Sequence, residues 1–263
     1  MSRGKGVQSD LRWVYQETKY KCKGQIVPPS TKYQISSLVA CLPETRHPLS
    51  VKVQNRDCLE LARELKLADP NKKVLVLNMA SAFKPGGGVE NGRTAQEEVI
   101  FRRSNAVLTH PVCWYPLKDR VIYSPEVTIL RDSEYGWYKR GEQATVSMLA
   151  VSALRKPKLL RGGPTSGLHP PSTSSLRYTP EDRQEMQRRV DAIFQVALLE
   201  GQDVLVLGSL GCGAYSNPPQ EVVELFRASL EKYGKYFREI YFAVLVVKDT
   251  DQENLDTFLS LAS

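Results

Sequence analysis

The sequence predicts an α/β sandwich in which a central sheet is covered by helices on both faces. Two observations support this fold class. Short apolar runs typical of buried strands alternate with amphipathic helices along most of the chain, and small-residue loops lead from strands to helices. The chain has 263 residues, of which 41% are hydrophobic and 25% charged, so it can form one large domain or two small ones with a sizeable core.

The elements follow in order from their apolar spacing and end signals. Helices are predicted where apolar residues recur at helical spacing behind a capping residue, and strands where an apolar run lies between turn signals. The first predicted helix begins near Asn55 or Asp57 and ends before Asp69-Pro70, and the second begins at Thr94 in a capping box with Glu97. Three further helices are predicted from Thr179 to Gly201, from 220 to 233 and from 254 to 261. The predicted strands are 74–77, 121–124, 127–130, 145–153, 204–207 and 240–247.

Two stretches lie outside this pattern. Residues 1–50 are mixed and only weakly periodic, so they predict no definite element. Residues 155–178 contain four prolines, three glycines and many serines and threonines, and they predict a long loop. Neither stretch splits the chain convincingly into independent units.

Composition and charge bear on the ligands, metals and membranes that the protein can bind. The formal net charge of +7 either only increases solubility or also favours binding of a polyanionic ligand. The five cysteines form no Cys-x-x-Cys motif and the three histidines have no metal-ligand spacing, so free thiols and no metal site are expected. The longest uncharged apolar run, 240–247, is too short for the roughly 20 residues of a membrane helix. Since no apolar stretch follows the basic N-terminus, an intracellular protein is expected.

Two glycine-rich loops are the candidate ligand site, because ligands of open α/β sheets bind beyond the carboxyl ends of strands. The first, 85–89, has three consecutive glycines, so a ligand can approach bare backbone N–H groups. The second loop, 208–215, again leads from a strand to a helix. On spacing alone, two alternatives stay open: the glycines form only tight connections, and Glu97 only completes a capping box. The dinucleotide, P-loop and nucleophile-elbow motifs are absent.

The residues that carry a family resemblance are Asn78-Met79-Ala80-Ser81-Ala82, then Pro85 to Gly88, then seven residues, then Gln96-Glu97-Glu98. This pattern resembles the signature of the poly(ADP-ribose) glycohydrolases, and most closely the compact microbial type. Further matches lie at 123–127, 130–132 and 207–215, so the resemblance extends from about Val51 to Val247. It implies a macrodomain-like three-layer α/β/α sandwich with a mixed central sheet. We expect a catalytic domain of this kind at 51–263, with 1–50 as an N-terminal extension packed on it.

The resemblance also implies roles for particular residues. Glu98 is implied as the catalytic acid/base and Glu97 as the second catalytic-site carboxylate, which holds a ribose through its hydroxyls. Ser81 departs from the family, where Asn is frequent, and the long 155–178 stretch also departs from it. The implied substrate-binding residues are Asn78, Ser81, Gly86, Gly87, Gly88, Val89, Gln96, Ser209, Gly211, Cys212, Gly213, Ala214 and Tyr215, the last on the ribose where relatives usually have Phe.

The mechanism that we expect uses one carboxyl group. Glycosidases generally use two, but neighbours on a helix point about 100° apart, so Glu97 and Glu98 cannot both face one atom. We therefore expect Glu98 to act in turn as general acid and general base. The substrate's own diphosphate supplies the second negative group and favours the protonated form of Glu98. This scheme requires no cofactor and no metal.

Three functions use this pocket. The first is hydrolysis of the ribose-ribose bonds of poly(ADP-ribose), the second is recognition of ADP-ribose without hydrolysis, and the third is removal of mono-ADP-ribose. Two adjacent glutamates favour an enzyme over a pure reader. The expected partners are poly(ADP-ribose) or ADP-ribosylated proteins, with no membrane and no sequence-specific nucleic-acid binding. A monomer is expected, in the cytoplasm, or in the nucleus of a eukaryotic source.

Overall fold

The computed structural model describes residues 3–39, 42–161 and 176–262. Its helices are α1 (Arg3–Cys22), α2 (Cys58–Ala68), α3 (Gln96–Arg103), α4 (Pro180–Leu199), α5 (Pro219–Tyr233) and α6 (Asp249–Phe258). Its strands are β1 (Thr31–Gln34), β2 (Val51–Gln54), β3 (Val74–Met79), β4 (Arg120–Ile129), β5 (Ala144–Val151), β6 (Leu159–Arg161), β7 (Leu176–Tyr178), β8 (Val204–Leu207) and β9 (Glu239–Ala243). Within the described ranges, none of the helices combines the length and apolar character of a membrane span.

Seven strands form one mixed sheet in the order β1-β4-β5-β3-β8-β9-β2. The five strands from β5 to β2 are parallel, β4 is antiparallel to β5, and β1 is antiparallel to β4. The mixed sheet predicted through the family resemblance is thus confirmed. Because β3 and β8 are adjacent and parallel, their carboxyl ends lie side by side, which places the two glycine-rich loops together.

Two cores lie on opposite faces of the sheet. Phe194, Phe226 and Phe258 pack on one face from α4, α5 and α6, whereas Leu59 and Phe101 pack on the other face from α2 and α3. Strand β3 alternates between the two cores, which explains its uninterrupted apolar sequence. The predicted three-layer sandwich is confirmed.

Several predicted elements are confirmed closely. The side chain of Asp57 caps α2 by accepting from the N–H groups of Leu59 and Glu60. Thr179 caps α4 by accepting from the N–H of Asp182. The strand predicted at 204–207 has the predicted bounds.

Other predictions were wrong in ways with a physical reason. The weakly periodic 1–50 segment contains a 20-residue helix and an edge strand. The strands predicted at 121–124 and 127–130 form one strand with a bulge after Ser124. The 155–178 loop contains β6 paired with β7, while 162–175 lie outside the described residues. The last strand stops at Ala243 and α6 begins six residues later, because side-chain oxygens take over the N–H groups of 246–248. The division at residue 50 stays a prediction.

A buried guanidinium connects α3 to α2. Arg103 is 1% exposed, its Nη1 lies 2.8 Å from Oδ2 of Asp57, and its Nη2 bonds Glu60. Asp57 therefore caps α2 with one oxygen and neutralises Arg103 with the other. Helix α3 is thereby fixed to α2, the helix that precedes β3.

Asp57→Ala is expected to lower the free energy of unfolding by about 3 kcal/mol, since it removes a helix cap and leaves a buried cation short of a partner. Asp57→Asn is the matched control, because asparagine caps helices as well as aspartate but carries no charge. Urea unfolding curves followed by circular dichroism measure both variants. A smaller loss for Asp57→Asn than for Asp57→Ala is expected; equal losses would mean that the cap contributes nothing.

Candidate active site

Two loops form the site at the carboxyl ends of β3 and β8. The first spans 80–95 and leads into α3, and the second spans 208–218 and leads into α5. The hydroxyl of Tyr215 in the second loop accepts a 3.1 Å hydrogen bond from the N–H of Ala82 in the first. This bond joins the two loops directly, as the adjacency of the two strands allows.

Glu97 is the buried anchor of the first loop. Its side chain is 3% exposed, its Oε2 accepts from the N–H of Ser81 at 2.7 Å, and its Oε1 accepts from the N–H of Gly86 at 3.2 Å. The predicted capping box is therefore wrong: α3 begins at Gln96 behind Ala95, without a side-chain cap. The carboxyl group that would complete that box instead joins Ser81, at the start of the loop, to Gly86, the first residue of the glycine turn.

Glu98 is placed differently, although it is the next residue. Its side chain is 7% exposed and its Oε1 accepts from the N–H of Gly88 at 2.7 Å. Its Oε2 is buried and has no hydrogen-bond partner within the described residues. Buried polar atoms are nearly always bonded, so an orphan of this kind marks a group that awaits a ligand. Both carboxyl oxygens of Glu97 thus accept hydrogen bonds from the loop, whereas one oxygen of Glu98 stays free to contact a ligand.

The two carboxylates require a glycine at position 87, whereas a side chain at Gly86 would meet Phe101 and one at Gly88 would meet Arg93. At Gly87, where φ is +49°, a Cβ would lie 2.6 Å from Oε1 of Glu98 and 3.0 Å from Oε2 of Glu97. The N–H groups of Gly86 and Gly88 donate to those carboxylates. The expectation that this loop offers bare N–H groups to a ligand is therefore wrong for these two residues in the ligand-free protein.

Gln96 completes the end of β3. Its Nε2 donates to the carbonyl of Leu77 at 2.7 Å, and its Oε1 accepts from the N–H of Met79 at 2.8 Å. The side-chain amide thus imitates the backbone of a neighbouring strand. These bonds favour a positioning role for Gln96 over the predicted direct contact with substrate, because its donor and acceptor are both used within the fold.

Sequence reasoning missed His110, which lies behind Asn78. Nδ2 of the fully buried Asn78 is 3.4 Å from Nε2 of His110, whose Nδ1 lies 3.2 Å from the carbonyl oxygen of Ala106. Burial lowers the pKa of His110 to about 4, so the ring is neutral near pH 7. With Nδ1 donating to Ala106, Nε2 accepts from Asn78, which fixes the orientation of that amide. Oδ1 of Asn78 has no partner within the described residues.

A tyrosine adds a further unsatisfied group beside Glu97. The hydroxyl of Tyr115 is buried and has no partner in the ranges that the structure describes. Burial, and then the charge of Glu97, raise the pKa of Tyr115, so its hydroxyl stays protonated. Three of the seven buried side-chain atoms without a partner in the described residues, those of Asn78, Glu98 and Tyr115, thus lie around Glu97.

The second loop is organised by Asn217, which sequence reasoning also missed. Its Nδ2 donates to the carbonyls of Leu154 at 2.7 Å and Gly211 at 3.1 Å, and its Oδ1 accepts from Tyr178. Gly211 has φ +78°, and a Cβ there would lie 2.4 Å from the Cβ of Ala153. Asn217 thus fixes Gly211 and the carbonyl of Tyr215, and the other predicted residues, Ser209, Cys212, Gly213 and Ala214, lie in the loop between these two attachments or close to them.

This second loop is the better anion site. Within the part of the chain that the structure describes, the N–H groups of Gly211, Gly213 and Ala214 have no acceptor. Successive unpaired N–H groups form a concavity suited to phosphate oxygens. Burial raises the pKa of the Cys212 thiol, so it is neutral and not a nucleophile. Among the described residues no cluster of three or more His, Cys, Asp or Glu has the geometry to hold a metal ion.

Burial raises the pKa of Glu97 to about 8, and the neighbouring charge of Glu98 acts in the same direction. Hydrogen bonds from Ser81, Gly86 and Asn78 oppose the shift without cancelling it. Glu97 is therefore predominantly protonated at neutral pH. A neutral carboxyl between two N–H donors suits a structural anchor and not a nucleophile.

Comparison with known proteins identifies relatives of this arrangement. Residues 14–132 match the family described as the catalytic domain of microbial-type PARG. The poly(ADP-ribose) glycohydrolase of Thermomonospora curvata bound to the inhibitor ADP-HPD superposes with a TM-score of 0.75 at 24% identity, over 96% of this chain and 99% of that chain. The Deinococcus radiodurans enzyme in complex with ADP-ribose gives a TM-score of 0.64 at 23% identity, over 95% and 89%. No curated protein sequence matches significantly. The resemblance found in the sequence and the macrodomain-like fold are thus confirmed.

The titration of Glu97 is expected to lower stability as pH rises. Between its ordinary pKa of 4.5 and about 8, the folded protein holds a proton that the unfolded chain has lost, so stability falls with pH. The depressed pKa of His110 opposes this trend only below about 6.5. Urea unfolding should therefore show a loss of up to about 2 kcal/mol from pH 6.5 to 8. In Glu97→Gln the slope should flatten; an unchanged slope would assign the effect to other groups.

Gly87→Ala is expected to lower the free energy of unfolding by about 1–3 kcal/mol, because the new methyl group meets both carboxylates at a positive φ. Gly141→Ala is the matched control, since a Cβ there meets nothing within 4 Å. Thermal unfolding measures both variants. Equal melting temperatures for the two would contradict the assigned constraint.

Proposed function

We propose that the chain is a hydrolase that cleaves the ribose-ribose O-glycosidic bonds of poly(ADP-ribose) and releases ADP-ribose. One observation carries this proposal: Glu98 presents a buried carboxylate oxygen without a partner, directly behind the triple-glycine loop. The match to the microbial-type PARG catalytic domain, which covers this loop and both glutamates, supports the same activity.

The chemistry assigns Glu98 two successive roles. As a carboxylic acid, Oε2 gives its proton to the departing ribose oxygen while the anomeric C–O bond breaks and an oxocarbenium ion forms. As a carboxylate, the same group then takes a proton from the water that attacks the anomeric carbon. One water is consumed and the proton returns to Glu98. The N–H of Gly88, donating to Oε1, holds the carboxyl in a single orientation throughout.

Glu97 is unsuited to the second-carboxylate role of most glycosidases. It is predominantly neutral near pH 7, and both oxygens accept backbone hydrogen bonds. In this proposal the substrate's diphosphate, bound at the unpaired N–H groups of Gly211, Gly213 and Ala214, supplies the negative charge that stabilises the oxocarbenium ion. Tyr215 packs against the ribose, and Asn78 accepts a ligand hydroxyl at its unpaired Oδ1. Glu97 contributes by fixing the loop and by contact with the ribose.

A reader that only binds ADP-ribose would gain nothing from an unpaired buried carboxylate, which costs free energy in the unliganded protein. Removal of mono-ADP-ribose from proteins uses the same catalytic group, and poly(ADP-ribose) and ADP-ribosylated proteins are both proposed as ligands. The protein is proposed to act as a monomer, because each group in this scheme comes from one chain.

Glu98→Gln is expected to leave the Kd for ADP-ribose within a few-fold of the wild type and to lower kcat at least about 10²- to 10⁴-fold, the usual contribution of general acid-base catalysis. Release of ADP-ribose from labelled polymer and from a mono-ADP-ribosylated protein measures activity, and calorimetry measures binding. Exposed Glu90, in the same loop, provides the control Glu90→Gln, which should keep full activity. Undiminished polymer cleavage by Glu98→Gln would refute the assignment.

A further inference from the structure

One face of α1 is exposed, basic and aromatic. At 100° per residue, the helical positions of Arg12, Trp13, Gln16, Lys19 and Tyr20 fall within an arc of about 120°. All five are exposed, and exposed Lys23 follows directly after the last helical residue. These six residues are called the outer face below. Tyr15, Thr18 and Cys22 lie on the opposite side of the helix and are buried.

The outer face has a charge imbalance. It carries three cations and no carboxylate, and the two acids of the described α1 side chains, Asp10 and Glu17, lie about 60° and 40° beyond its Trp13 edge. Glu17 is already paired with Arg131. Within the described residues, Arg12, Lys19 and Lys23 have no ion-pair partner. Unpaired cations in a row are suited to a polyanion.

Two large rings stand on the same face. Trp13 is 64% exposed and Tyr20 is 75% exposed, and neither side chain makes a ring contact or hydrogen bond with the described residues. They are seven positions apart, so their Cα atoms are about 10.5 Å apart along the helix axis. Aromatic rings between cations form the arrangement that single-stranded nucleotide polymers recognise, with bases stacked on the rings and phosphates at the cations.

The outer face lies close to the catalytic helix. Oγ1 of Thr18 donates to the carbonyl of Arg102 at 2.7 Å, and Nε of fully buried Arg102 donates to the carbonyl of Leu11 at 3.1 Å. Helix α1 therefore packs directly on α3, which carries Glu97 and Glu98. The outer face lies on the side of α1 away from α3, so one helix diameter, about 10–12 Å, separates it from the surface of α3. A polymer that leaves the catalytic pocket can reach it.

We propose that the outer face of α1 binds the part of a poly(ADP-ribose) chain that lies outside the catalytic pocket. This inference rests on the proposed function. Each unit of that polymer carries an adenine and two phosphate charges, which match a ring and its neighbouring cations. The face thus tethers long chains and leaves the affinity for the terminal unit unchanged.

The test uses the inactive Glu98→Gln protein, so that the polymer is not consumed during titration. Trp13→Ala/Tyr20→Ala should raise the Kd for long poly(ADP-ribose) by about fivefold or more, the contribution of one stacked base. Lys19→Gln/Lys23→Gln should reduce the slope of log K against log salt by about 1.4. Neither double variant should change the Kd for ADP-ribose.

The matched control for charge is Lys232→Gln/Arg238→Gln. Both side chains are more than half exposed; Lys232 lies in the last turn of α5, which packs on the opposite face of the sheet from α1, and Arg238 directly precedes β9. This variant should keep the wild-type Kd for polymer and for ADP-ribose. Thermal unfolding of each variant establishes that it is folded before binding is compared.

Three results would overturn the inference. An unchanged Kd for long polymer in both outer-face variants would show that the face does not touch it. A parallel loss of affinity for ADP-ribose would place the effect in the pocket. Loss of single-stranded RNA binding or of self-association alone, with polymer binding retained, would assign the face to those partners. Failure of the proposed function is separate, since it appears as absence of ADP-ribose release by the wild-type protein.

Discussion

The architecture of the site depends on one buried hydrogen-bonded group, the carboxyl of Glu97. It joins the N–H of Ser81, just after β3, to the N–H of Gly86, at the start of the glycine turn. A buried polar group stabilises a structure only when its hydrogen bonds are complete, and here backbone N–H groups and the side chain of Asn78 supply them. The position of Glu98 follows from this constraint, because Glu98 is the next residue on the same short helix and its orientation is set by Gly88.

The two glutamates differ in how many of their carboxyl oxygens have a hydrogen-bond partner. Both oxygens of Glu97 accept hydrogen bonds from N–H groups of the loop, and burial keeps this carboxyl predominantly neutral. The other retains an oxygen with no partner in the described residues, beside unpaired atoms of Asn78 and Tyr115. Polar atoms buried without partners destabilise the unliganded protein. A ligand that supplies those hydrogen bonds removes this free-energy cost on binding. The protein therefore favours ligands whose polar groups match the unpaired atoms.

The sequence was sufficient for features that depend on local pattern. The apolar run of β3 predicted a strand buried on both faces, and the glycines before Gln96-Glu97-Glu98 predicted the position of the candidate site. Helix α1 was missed because only Tyr15, Thr18 and Cys22 are buried among its described side chains, too few for an apolar stripe. His110 and Asn217 were missed because their partners lie 32 and 63 positions away in the chain. The capping box predicted from Thr94 to Glu97 was wrong because Glu97 bonds the N–H groups of Ser81 and Gly86 instead of that of Thr94.

The hydroxyl of Tyr215 has a consequence for how a sugar is received. Held by the N–H of Ala82, the ring cannot sample other rotamers without breaking a hydrogen bond. Immobilising a free side chain on association costs about 0.5–1.5 kcal/mol, and a ring already fixed in place avoids that entropy loss. In the proposed complex, where Tyr215 packs against the ribose, a ring that is already fixed should slow the dissociation of the nucleotide more than it speeds association.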